Sequence, residues 1–138
     1  MKLRMFFGIF LILSLTACSS TKQTDITDEV IFYGEGEHWK VKYIYNPELY
    51  DEKKVNWVEI EWKDLELSHG DLHNIDIKFE GRDGLITGNI GDMVTRINGS
   101  VISFLVGTVN NDTYKEDEYK IKIKFNDEQD VIRLQLLN

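Results

Sequence analysis

Cysteine and proline are nearly absent: the 138 residues contain one of each, Cys18 and Pro47. A lone cysteine excludes a disulfide within the chain and any cysteine-based zinc or iron–sulfur site, which need several sulfur ligands. Basic residues are also scarce, 16 Lys and Arg against 24 Asp and Glu, for a formal net charge of -8. So acidic a chain argues against nucleic-acid binding, because phosphate contact draws on a basic patch. No run reaches the roughly 20 apolar residues that a membrane-spanning helix needs. Nor does any stretch of useful length repeat its apolar residues at the helical period, with residues 64–74 the only place where a helical turn could hide.

What is present begins at the N-terminus. Lys2 and Arg4 precede residues 5–15, which are apolar apart from Gly8 and Ser14. That is the charged region and the short apolar core of a signal peptide. The run ends in Leu15-Thr16-Ala17-Cys18. Small side chains at Thr16 and Ala17 let a protease reach the backbone, and the thiol supplies a soft nucleophile for lipid transfer. The segment resembles the lipobox of bacterial lipoproteins. The resemblance implies cleavage before Cys18, removal of residues 1–17, and fatty acyl chains of the palmitate kind on Cys18. It places the protein at the cell membrane, lipid-anchored on the extracellular face. Two acyl chains on one residue make a stable anchor, since each buried methylene contributes about 0.8 kcal/mol. An ordinary secretory signal with an incidental cysteine is the alternative. Loss of Lys2 and Arg4 makes the chain two charges more acidic, so an anionic lipid surface repels it and the anchor has to hold it there. Residues 18–29 carry a single aliphatic residue, Ile26, and read as the lipidated cysteine with a flexible tether.

Residues 30–138 then read as a single domain of strands. Trp39, Val41, Tyr43 and Tyr45 alternate with polar positions, and Pro47 stops the strand because it cannot donate to a ladder. A second strand runs over residues 55–67, with Val58, Ile60 and Trp62 on one face and Glu59, Glu61 and Lys63 on the other. Further candidates lie at 75–79, 85–88, 93–97 and 101–106. Tyr119, Ile121, Ile123 and Phe125 alternate with Lys120, Lys122 and Lys124, and the chain returns through 131–137 after a turn over 126–129. The lysines read as solvated surface or as protection for a sheet edge. Glycines 81, 84, 88, 91 and 99 serve turns and bulges. The pattern predicts an all-β fold, an antiparallel β-sandwich, with a small β-barrel as the structural alternative.

Residues 33–41 (Tyr33-Gly34-Glu35-Gly36-Glu37-His38-Trp39-Lys40-Val41), a glycine-rich middle, and the terminal segment from Asp117 through Phe125 together resemble small uncharacterised lipoproteins of Gram-positive bacteria, the bacilli and their relatives. The resemblance covers most of the mature chain and implies an immunoglobulin-like all-β domain without an assigned activity. Where such proteins tend to carry Asn-Gly in the last hairpin, this chain has Asn126-Asp127, which puts the register of that turn in question.

Candidate sites are few. His69, Asp71 and His73 lie within one helical turn's reach and could hold zinc or copper, against a plain solvated turn. Asp112, with Asn110, Asn111 and the acids 116–118 near by, could contribute to a calcium loop, against a plain acidic turn. No cofactor is implied. Ser68, Ser100 and Ser103 lack the strand–turn–helix setting of a catalytic serine, and Glu59 and Glu61 share a solvated strand face, so no enzyme activity is expected. Trp57 and Tyr50, beside the 46–56 connection, are the aromatics expected to face a partner. The leading expectation is therefore a non-catalytic binding module for a protein, peptide or envelope glycan. A structural or accessory subunit of an envelope complex, and a metal or solute receptor, are the alternatives.

Overall fold

The computed structural model describes residues 23–64, 67–93 and 95–138; Cys18, the signal segment and the start of the tether lie outside them. The described residues form nine strands: β1 (Val30–Glu35), β2 (Trp39–Tyr45), β3 (Asn56–Trp62), β4 (Ile75–Glu80), β5 (Leu85–Asn89), β6 (Thr95–Asn98), β7 (Val101–Val106), β8 (Tyr119–Phe125) and β9 (Glu128–Leu136). A helix, α1 (Pro47–Lys53), links β2 to β3, and 3-10 turns cover His69–Asn74 and Ile90–Asp92.

Period-two alternation explains the strands. In β2, Trp39, Val41, Tyr43 and Tyr45 are buried while Lys40 and Lys42 are exposed, and β8 repeats this with Tyr119, Ile121 and Ile123 against its three lysines. Each large apolar side chain buried in this way stabilises the fold by about 1.5–3 kcal/mol. β1 breaks the pattern at the sequence level because Gly34 occupies an inward position. A Cβ there would collide with the Arg133 carbonyl oxygen, so glycine is what lets β1 and β9 approach.

The fold is all-β and antiparallel, as the patterning predicts. Its strands make one continuous sheet in the order β5-β4-β8-β9-β1-β2-β3-β7-β6. β9 makes the continuity. Residues 128–134 pair with β8, and the same strand then pairs Gln135 and Leu136 with Tyr33 and Phe32 of β1. The sheet curls so that its inner face closes on itself: the Tyr43 ring of β2 lies 5.0 Å from Phe79 of β4 and 4.7 Å from Tyr119 of β8. Trp62 of β3 meets Phe125 of β8 at 5.2 Å. β5 and β6, joined by the second 3-10 turn, are the two edges.

Three local expectations change. The 46–56 connection holds a helix, capped by Asn46, whose Oδ1 accepts from Leu49 N at 3.1 Å, with Pro47 at a position where its missing N–H costs nothing. The last hairpin is tight, with Phe125 opposite Glu128 and Asn126 in the left-handed region (φ 54°), a conformation Asn tolerates. β8 is an interior strand between β4 and β9, so its lysines protect no edge.

Candidate binding surface

Tyr50 and Trp57 part company in the structure. Tyr50 does not face a partner: it is 8% exposed, its hydroxyl donates to the Asn110 and Asn111 carbonyls at 2.8 and 3.1 Å, and its ring packs on Tyr45. It is the one buried residue of α1, and it ties that helix to the 107–118 loop. Trp57 points the other way, onto the outer face of β3, half-buried, with the Arg96 guanidinium over its ring at 4.8 Å.

Register shows what surrounds it. Trp57 lies opposite Ile44 on β2 and Leu105 on β7, and Ile44 lies opposite Ile31 on β1. Leu137 extends the line, its N–H donating to the Ile31 carbonyl at 2.8 Å and its side chain 52% exposed. Leu137, Ile31, Ile44, Trp57 and Leu105 thus form one apolar stripe across the solvent side of the sheet. Beside it a cleft is lined by Ile44, Leu49, Trp57 and the acids Glu29, Glu48 and Glu52. One row further along, the face is charged: Lys42 stands opposite Glu59, and Lys40 opposite Glu61. Glu59 and Glu61 share the outward face of β3, half-buried, and line a cleft with Tyr33, Lys40, Lys42 and Val101.

The metal candidates do not assemble. Asp71 spends its carboxylate on Ser68, accepting from the backbone N at 2.9 Å and from the hydroxyl at 3.0 Å. The His73 ring lies against Gly91, and both His69 and His73 are exposed. Asp112 lies at the far end of β4 from this turn, where its carbonyl accepts from Arg82. In the same loop Asp117 is consumed by Arg82 at 2.6 Å, Tyr114 N at 2.9 Å and Asn110 Nδ2 at 3.2 Å. Among the described residues, no group of three or more His, Cys, Asp or Glu is arranged to hold a metal ion.

Residues that the sequence did not single out hold the loops in place. Asp130 is a buried carboxylate whose Oδ2 accepts from the His38 and Trp39 N–H groups at 2.7 and 3.0 Å. The end of the tether is engaged as well: Thr24 bonds Glu116 through both backbone and hydroxyl, and Asp25 bridges to Tyr114. Chain leading back to Cys18 therefore departs beside the 107–118 loop. No described helix is long and apolar enough to cross a membrane. Comparison with protein-family models, with curated proteins and with solved structures gives no match.

Proposed function

We propose that the protein is a membrane-anchored extracellular lipoprotein whose domain is a non-catalytic binding module, taking a protein or peptide partner on the outer face around Trp57. The observation that carries this reading is the apolar stripe Leu137, Ile31, Ile44, Trp57 and Leu105, laid across the four neighbouring strands β1, β2, β3 and β7 and the residue that follows β9, on the side of the sheet that faces solvent. Leu137 is exposed and the other four are half-buried, and a contiguous apolar line on a solvent-facing side commonly marks an interface, with tryptophan a frequent anchor. Glu29, Glu48 and Glu52 at its rim suit a partner with basic residues beside an apolar segment, and they disfavour an anionic lipid surface. The curled sheet folded on itself corresponds, in this reading, to an immunoglobulin-like platform of the kind found in Gram-positive surface lipoproteins. Lipid on Cys18 and a short tether hold the platform close to the membrane.

Crosslinking in native membranes, read by mass spectrometry, tests both parts. Wild type should give a discrete adduct that Trp57→Ala reduces at least about tenfold, the loss of a hot-spot residue, while circular dichroism stays unchanged. Equal adducts from both proteins would sink the Trp57 face. Cys18→Ser should release the chain from the membrane fraction, and retention of that variant would sink the lipid anchor.

A further inference from the structure

The outer face of the other half of the sheet carries like-charge pairs as well as unlike ones. Around β2 and β3, each outward lysine stands opposite a glutamate, the arrangement that a solvated surface favours. On β4, β8 and β9, Lys78 stands opposite Lys122, and Lys120 opposite Arg133. Like charges directly opposite each other destabilise a sheet. Two such pairs sit side by side in a chain whose net charge is -8, so composition does not explain them. Edge protection does not explain them either, because β8 and β9 are interior strands.

Counter-charges on this face stand beside Lys120, Lys124 and Arg133, and none stands directly across from Lys78 or Lys122. Asp76 is opposite Lys124 and bonds Asn89, Glu80 is opposite Lys120, and Glu118 reaches Arg133 at 3.6 Å. Lys78, Lys120, Lys122 and Lys124 are exposed and make no ion pair among the described residues. Lys78, Lys120 and Lys122, with Glu80, Gln129 and Val131, line a cleft of about 200 Å³. Along β8 the three lysines recur every second residue, about 7 Å apart.

We propose that this face binds a linear phosphodiester polymer, laid along β8 with successive phosphates on Lys120, Lys122 and Lys124 and flanked by Lys78 and Arg133. The polymer supplies counter-charge above all at Lys78 and Lys122, the like-charge pair with no carboxylate directly across from either lysine. A chain of phosphates suits a row of lysines better than a flat lipid surface does. The lysine row occupies the side of the sheet, whereas the end from which the tether leaves carries Asp25, Asp28, Asp112 and Glu116. Nor is a base-bearing polymer favoured, since no aromatic ring stands among the outward residues of β4, β8 and β9 to stack on a base.

Titration of the full chain in neutral detergent with poly(glycerol phosphate) tests this, using Lys120→Gln/Lys122→Gln/Lys124→Gln as the variant and Lys40→Gln/Lys42→Gln as the control. The β8 variant should bind roughly tenfold or more weakly, and its plot of log K against log salt should flatten by about 2, some 0.7 for each phosphate no longer neutralised. The control should bind like wild type, and all three should share one circular dichroism spectrum. Three results would overturn the proposal: no binding by wild type at about 0.1 M salt, equal weakening in the control, or a preference for phosphatidylglycerol micelles over the polymer that the β8 variant abolishes. The last would make the partner a lipid surface.

Discussion

A carboxylate taken out of water is costly unless hydrogen bonds satisfy it, and Asp130 meets that condition through the backbone at the start of β2. Asp130→Ala leaves two N–H groups without an acceptor and should lower unfolding stability by about 2–4 kcal/mol. Asp130→Asn keeps one acceptor oxygen and should lose about half as much. Urea denaturation followed by tryptophan fluorescence measures both, since Trp39 sits at the bond. An alanine variant as stable as wild type would show that water replaces the carboxylate. Nothing local in the sequence marks Asp130, because its partners lie 91 and 92 residues away. Tyr50 and Trp57 show the same limit from the other side. Both are large aromatics near one connection, and only the tertiary contacts of α1 send one inward and leave the other on the surface.

Elements were legible where alternation is strict. β2 and β8 match the positions that the pattern predicts, since a period of two fixes the inner face without help from neighbours, whereas β7 was legible only as a short apolar run broken by Ser103. α1 carried a signal of its own, Asn46-Pro47-Glu48, an N-cap followed by proline and an acid in the first turn. With seven residues it is too short for helical periodicity to show. β1 was hidden because Gly34 fills an inward position for reasons of approach and not of hydrophobicity. Gly34→Ala should therefore destabilise the protein by about 3 kcal/mol, the upper end for an overpacked site, because the obstruction is a backbone oxygen that cannot swing away. Thermal unfolding of the variant checks this, and a melting temperature within about a degree of wild type would contradict it.

Across the whole molecule, the two halves of the curled sheet are joined by rings. Phe32, Tyr43, Phe79 and Tyr119 meet at centroid distances between 4.7 and 6.1 Å. Burial pushes the Tyr43 and Tyr119 phenols well above their ordinary value, with the hydrogen bonds from Asn56 and to Thr113 only partly opposing it. A raised folded-state pKa leaves stability intact below the unfolded value near 10, and stability is lost as pH rises toward the folded value. The melting temperature should thus hold between pH 7 and about 9.5, then fall, each phenol contributing up to about 1.4 kcal/mol per pH unit. Tyr119→Phe should make that fall shallower. An unchanged alkaline slope would mean that these phenols ionise without unfolding.

By itself, the sequence determined the strand alternation, the all-β class and the lack of a disulfide within the chain. All of these are local properties, readable within a few residues or by counting. The tertiary structure decided which residues stand opposite one another, and both proposed surfaces are made of such pairs. A lysine on an exposed strand face looks the same whether glutamate or another lysine lies across from it. Only the register between β4, β8 and β9, set by turns and by inward packing far from those lysines, distinguishes the two. The stripe at Trp57 arose likewise, from single apolar residues that four strands and the residue after β9 bring into one line.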